Sequence, residues 1–341
     1  MATNFNFQAL RPVSFNVTPV SIRLTLADRI GALKMRGGFD RNNYRVKPGL
    51  YKVGSPDSQS DVLVSANYKL SFDVLRSNLD SLNVWILVVD TKGVNVWCSA
   101  AKGNFSTDSV VRSLKETSLE HIVQHRRIIL PQLSASGVAA HKVKEQTGFN
   151  ALFGPVEARD IKPYIEAGYK ATSAMRKVNF PMKERAKLIP VDFLYEKYKL
   201  LFIMGLFFFL SGLDRTGFLF GKMIDTYMFP LITILGGYFA GIVITPLFLP
   251  WIPFRAFALK GAFWGLSTTV VINRMFDVPA LDAVSMGLIG VSIASFMAMN
   301  FTGSSTYTSL SGVRKEMKWA VPFQIAFITV GTVLFIISKL A

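Results

Sequence analysis

The sequence predicts a doubly wound α/β domain followed by an all-α transmembrane bundle of about five helices, and three observations carry this expectation. Charge is unevenly placed: 29 of the 38 Lys and Arg and 17 of the 22 Asp and Glu fall in residues 1–199. Half of the 341 residues are hydrophobic, 28 of them Phe, and the long apolar runs begin only at Leu200. Between residues 61 and 167, short apolar runs alternate with stretches of helical period, the pattern of strand–helix units around a parallel sheet. We therefore divide the chain into an irregular lead-in (1–60), an α/β domain (61–190), an interfacial linker (191–199) and a membrane domain (200–341).

The lead-in is polar, contains Gly, Pro and Arg, and shows no sustained period. Strands are expected at 61–65 (DVLVS), 83–89 (NVWILVV), 128–130 and 151–153, and helices at 69–79, 108–116, 137–146 and 161–167. In such a Rossmann-like arrangement the ligand lies beyond the carboxyl ends of the strands. Those ends are residues 65–67, 90–91, 131–136 and 154–155, short polar or Gly/Pro turns that leave room for a large flat ligand, as ordinary loops also do.

Apolar spans are expected at 200–213, 223–249, 257–272, 283–301 and 319–337. The first has only 14 residues and must either borrow 195–199 by snorkelling or be partly shielded. Tyr195 and Tyr198 ahead of it suit an interfacial anchor. Arg255, Lys260, Arg314, Lys315, Lys318 and the basic stretch 183–199 outweigh Arg215, Lys222, Arg274 and Lys339, so the positive-inside rule puts the α/β domain on the cytoplasmic side of the inner membrane. No signal peptide is expected in residues 1–20. Asp214, Asp225, Asp277 and Asp282 lie near span ends, which argues against active transport, the reading from a different class. The formal charge of +16 points to anionic lipid rather than nucleic acid.

Cys98 is the sole cysteine, so neither an internal disulfide nor a cysteine-held iron–sulfur or zinc site can form within the chain. It lies in the segment 95–105 (NVWCSAAKGNF), after the strand 83–89 and the turn 90–93, at the ligand-binding edge of the sheet. A small buried hydrophobe is the alternative use of such a thiol. Ser99, Ala100 and Ala101 are small enough for this turn or short helix to lie flat against a broad surface. Trp97 either packs on a ring edge or is core, and Lys102 either meets an anionic substituent or ends a helix.

Residues Asn95, Val96, Trp97, Cys98, Ser99, Ala100, Ala101 and Lys102 resemble the signature of the mercury-methylating corrinoid proteins, membrane-bound relatives of the corrinoid iron–sulfur protein of acetyl-CoA synthesis. The departures are Ser99 for Ala and Ala101 for Gly. The resemblance extends over nearly the whole chain, taking in 130–141 (LPQLSASGVAAH), 153–155, the five-span architecture and 299–317. It implies a corrinoid (cobalamin-type) bound under a cap formed by residues 95–102, with Cys98 as catalytic residue and lower axial ligand of cobalt. It also implies a ferredoxin-like partner with two 4Fe–4S clusters that supplies the missing redox centre, and a methylated folate or methyl-corrinoid protein as methyl donor. A soft, strongly donating thiolate gives a methyl group on the far side of cobalt carbanion character, which suits an electrophile such as mercury(II). The implied activity is a corrinoid-dependent methyltransferase that converts mercury(II) to methylmercury. A membrane-anchored methyl carrier of one-carbon metabolism with another acceptor is compatible with the same cysteine.

The Asp-x-His-x-x-Gly segment that supplies histidine to cobalt in another mode of binding is absent, and His121, His125 and His141 are expected on the surface or in the core. Ala101 would crowd the cap if the position needs a positive φ, and would stiffen it by roughly 1 kcal/mol if helical; the helical case is expected. Residues 31–39 carry neither GxxxxGK[ST] nor GxGxxG, so no nucleotide site is expected. The hydroxyl-rich loop 302–316 either touches the α/β domain or a redox partner, or is a solvated connection.

Overall fold

A six-residue strand buried on both faces, β4 below, centres the first of two units in the computed structural model, which describes residues 16–39, 43–304, 307–308 and 310–341. Most of the segment read against a signal peptide, and parts of the hydroxyl-rich loop, lie outside the described residues. One unit comprises Phe39–Val178 with the described residues up to Met35, and the other comprises Asn179–Ala341 with Arg36–Gly38.

The first unit runs β1 (Val17–Pro19), α1 (Leu26–Arg36), β2 (Gly49–Val53), β3 (Val62–Ala66), α2 (Lys69–Ser77), β4 (Val84–Val89), α3 (Val96–Lys102), α4 (Thr107–Glu116), β5 (Arg127–Leu130), α5 (Ala140–Thr147), β6 (Asn150–Phe153) and α6 (Ile161–Glu166). The strands form one sheet in the order β1-β2-β4-β3-β5-β6. From β4 to β6 all pairs are parallel, β2 runs antiparallel to β4, and β1 is parallel to β2. The sheet is therefore mixed rather than wholly parallel, and the stretch expected to be irregular supplies β1, α1 and β2. Its pattern is short: in β2 only Leu50, Tyr51 and Val53 are buried, and positive-φ glycines, Gly49 and Gly54, bracket the strand.

Apolar residues fill both sides of the sheet because helices cover both. Trp85, Leu87 and Val89 of β4 pack with Val110, Leu114 and Val143 of α4 and α5. Val84, Ile86 and Val88 pack with Phe72, Leu75, Ile161 and Tyr164 of α2 and α6. The chain passes outward from β3 to β4 and then returns to the far side of β3 with β5. The carboxyl ends of β3 and β5 thus form the point where the winding reverses, the position at which open α/β sheets leave a crevice.

α2 is held to α1 by a partly buried charge cluster. Asp28 pairs with Lys69 (2.5 Å) and Arg76 (2.7 Å), and Asp73 pairs with the same two cations (2.7 and 2.8 Å). The Arg76 guanidinium also donates to the carbonyls of Ser21 and Arg23. Burial alone would raise the Asp28 carboxyl, but hydrogen bonds from Lys69, Thr25 and Arg76 outweigh it and hold the group well below the usual carboxylate range. A depressed folded pKa contributes stability that is complete above the unfolded value of 3.8 and is lost as pH falls below it. Asp28→Asn is expected to cost on the order of 2 kcal/mol at neutral pH. Thermal melts across pH should show the difference from the parent chain shrinking below about pH 4.

The second unit is helical: α7 (Met182–Ala186), α8 (Ile189–Tyr195), α9 (Lys197–Leu210), the two-residue strands β7 (Leu213–Asp214) and β8 (Gly217–Phe218), α10 (Phe220–Thr226), α11 (Met228–Phe239), α12 (Thr245–Phe248), α13 (Phe257–Phe276), α14 (Ala280–Asn300) and α15 (Leu310–Leu340). A π-helical turn, Ala240–Ile244, joins α11 to α12. Pro246 explains it: proline has no N–H and its ring crowds the carbonyl four residues earlier, so the preceding turn widens. Leu188 and Ile189 join the apolar clusters of this unit, which is why the sheet unit ends at Val178 and not near residue 190. The expected linker 191–199 lies within α8 and α9 and the junction between them, with Tyr195 and Tyr198 exposed.

Among the described residues, three segments are long and apolar enough to cross a membrane: Met228–Trp251, Ala280–Asn300 and Ser311–Leu340. Five spans had been expected. α9 is 14 residues long, and α13 carries Lys260 and Arg274. Helices α11, α13 and α14 meet at small residues. A Cβ on Gly237 would fall 2.5 Å from the carbonyl oxygen of Gly290, and one on Gly261 2.4 Å from that of Ala294, so these glycines permit backbone-to-backbone approach.

Candidate functional site

β4 ends at Val89 and the chain reverses through residues 90–95 into α3, a turn organised by Asn67 at the end of β3. Asn67 is buried. Its Oδ1 accepts hydrogen bonds from the backbone N–H of Thr91 (3.0 Å) and of Gly93 (2.9 Å), and its Nδ2 donates to Asp90 Oδ1 (2.9 Å). Lys92 and Gly93 both take positive φ, so the turn is tight and needs this external acceptor. Ser99 Oγ then donates to the Val94 carbonyl (3.0 Å), tying the helix back to its own entry.

α3 begins with Asn95 as N-cap, its side chain accepting from the Cys98 N–H (2.9 Å), and ends at Gly103 with φ of 81°. This is the expected chemistry of a short helix, with an Asx residue at the start and glycine past the end. Ala101 lies within the helix and has no positive φ, so its methyl is accommodated by the backbone.

A cleft of about 390 Å³ opens at the winding reversal. Ser65, Leu130, Pro131, Gly154 and Pro155 form its base, Leu70, Ser71 and Val74 of α2 one wall, and Asn95, Val96 and Trp97 of α3 another. None of its lining residues carries a charged side chain. Of the eight residues singled out in the sequence, Asn95, Val96 and Trp97 thus line the cleft. Cys98 is the next residue and is half-buried, outside the lining. Ser99 and Ala100 are buried behind the helix, while Ala101 and Lys102 are exposed away from the cleft. Trp97 is therefore a wall of the cleft and not core. The wall from α2 was not legible: Leu70 and Val74 belong to a helix whose period only said that its other face is buried.

Gly137 seats α3 from behind. A Cβ there would sit 2.4 Å from the Phe105 carbonyl oxygen and 3.0 Å from Ala100 Cα. Gly137→Ala is expected to shift α3 or its loop, with a cost of about 1–3 kcal/mol. The readout is a lower unfolding midpoint together with faster alkylation of Cys98.

The three histidines stay away from the cleft. His121 is exposed beside Glu120, His125 lies 2.9 Å from the Ser60 carbonyl, and His141 is on α5. Among the described residues, no group of three or more His, Cys, Asp or Glu is arranged to hold a metal ion.

The fold and cleft define an α/β domain with a ligand crevice at its switch point. Residues 39–165, which fall within the sheet unit, match the family model described as CO dehydrogenase/acetyl-CoA synthase delta subunit. The chain is similar to the acetyl-CoA decarbonylase/synthase complex subunit gamma of Methanopyrus kandleri, 33% identical over 128 residues (37% of this chain, 27% of the relative). It is also similar to the subunit gamma of Archaeoglobus fulgidus, 31% identical over 131 residues (38% and 27%). A third relative is the corrinoid/iron-sulfur protein large subunit of Moorella thermoacetica, 30% identical over 125 residues (36% and 28%). The chain spans little more than a quarter of the length of these relatives.

Proposed function

We propose that this chain is a membrane-anchored, corrinoid-dependent methyltransferase that delivers a methyl group to inorganic mercury(II), giving methylmercury. The observation that carries the reading is the position of the one thiol, Cys98, on the short helix that walls an uncharged cleft in a domain related to corrinoid proteins. The residues present fit a corrinoid. The lining is apolar with neutral polar edges, the helix backbone at Ala100 is drawn in close against Gly137, and Cys98, next to the lining residue Trp97, offers a soft sulfur donor. Asn95, Val96 and Trp97 would line its site, and Cys98, carried on the same helix with Ser99, Ala100, Ala101 and Lys102, would supply a sulfur ligand to cobalt. When bound, the corrinoid supplies the organometallic methyl chemistry, and the protein supplies ligation, orientation and exclusion of water.

In this reading Asn95 keeps the first turn of α3 rigid by capping the Cys98 amide, so the sulfur is carried on a fixed backbone. Trp97 shields the cleft from water. Mercury(II) is the substrate. Reducing equivalents come from a ferredoxin-like partner with two 4Fe–4S clusters, the methyl donor is a methylated folate or methyl-corrinoid protein, and the apolar helices hold the chain in the cytoplasmic membrane. No nucleic acid takes part.

A second reading, a methyl carrier of one-carbon metabolism with a different acceptor, is favoured by the names of the relatives, which are subunits of acetyl-CoA complexes. Anaerobic purification with corrinoid, cobalt analysis, and an assay of methylmercury with the reduced partner protein test the proposal. Stoichiometric cobalt with methylmercury formation supports it. Loaded protein that methylates another acceptor and no mercury establishes the second reading, and protein that takes up no corrinoid removes both.

A further inference from the structure

Helix α1 has two faces that the sheet unit does not explain equally. Toward the fold it turns Asp28, Gly31 and Met35: Met35 is buried with its sulfur 3.2 Å from the Tyr68 hydroxyl, Asp28 is consumed by Lys69 and Arg76, and Gly31 admits the Tyr44 ring. On the opposite side Leu26, Ile30 and Leu33 are 73, 43 and 68% exposed. At about 100° per residue these three fall within a sector of about 60°, directly across the helix from Met35. Lys34 flanks that ridge on one side and Arg29 and Arg36 on the other. Among the described residues none of these three cations has an ion-pair partner, and the helix's one acid, Asp28, faces inward.

An apolar ridge flanked on both sides by cations is the profile of a helix lying in a lipid interface, and a chain with three segments, among the described residues, long and apolar enough to cross a membrane has such a surface at hand. We propose that α1 docks on an anionic lipid leaflet, with Leu26, Ile30 and Leu33 at the acyl boundary and Arg29, Lys34 and Arg36 among the headgroup phosphates. The proposal rests on the reading of the helical unit as membrane-embedded, and is independent of the corrinoid.

The test uses the full chain with Ile30→Cys on a Cys98→Ser background, spin-labelled and reconstituted in nanodiscs of phosphatidylcholine alone or mixed with phosphatidylglycerol. Retention in nanodiscs without detergent reports the embedding separately. In the mixed lipid the label should gain accessibility to oxygen and lose accessibility to a water-soluble nickel chelate. Arg29→Gln and Lys34→Gln should each reduce the lipid-bound population by about fivefold, the effect of one cation at an anionic surface. A Leu33→Cys label gives the same readout should the Ile30 variant fail to fold. Equal exposure to the chelate in both lipids overturns the proposal, and so does shielding from oxygen and chelate alike, which would mean that protein covers the ridge.

Discussion

Cys98→Ala is expected to abolish methylmercury formation while the sheet unit stays folded. The sulfur is half-buried and lies outside the cleft lining, so its loss leaves no cavity of consequence, and alanine is the best helix former. The N–H that Asn95 caps belongs to the backbone and survives the substitution. The unfolding midpoint should therefore move little. Activity should fall by more than about a hundredfold, the upper range for losing groups that merely support a metal ligand. The cobalt(III) absorption of the loaded protein should change as well, because a strongly donating sulfur is replaced by water or by nothing. Unchanged spectra and unchanged methyl transfer in Cys98→Ala would remove the thiolate from the mechanism, whereas a changed spectrum with intact transfer would leave it a ligand without a catalytic role.

Asn67→Leu is expected to be the most damaging substitution outside the apolar cores. It leaves the N–H groups of Thr91 and Gly93 buried without an acceptor, at about 1–3 kcal/mol each. It also releases Asp90, which otherwise accepts from both Asn67 Nδ2 and the Lys92 N–H. Because these contacts hold the turn that leads into α3, the substitution should lower the unfolding midpoint and raise the alkylation rate of Cys98 together. Asn67→Asp keeps the acceptor but loses the donation and sets two carboxylates side by side, so an intermediate effect is expected. A Leu variant that melts like the parent, with unchanged Cys98 reactivity, would show that the turn is held by other means.

The strands 61–65, 83–89, 128–130 and 151–153 were readable because β3, β4, β5 and β6 are buried or partly buried on both faces and their apolar runs need no knowledge of neighbours. β2 was not readable, since a strand with three buried residues between two glycines has no period to detect. Asn95 was legible as part of a motif, and its capping role follows from local geometry. Gly137 was not: its need to be glycine arises from Ala100 and Phe105, which stand more than thirty residues earlier in the chain. The three segments among the described residues that are long and apolar enough to cross a membrane show through composition alone, whereas the other two expected spans differ in helix length at α9 and in charge at α13.

From the order of its residues alone, this protein's division into a charged α/β part and an apolar helical part could be deduced, and so could the position of its thiol at a strand's carboxyl end. Hydrophobic content and backbone period are local properties, written along the chain. The cleft itself, its α2 wall, the hold of Asn67 on a turn 24 residues away and the bare ridge of α1 were settled only by folding. They depend on which strand lies beside which, and strand order comes from the packing of many distant faces at once.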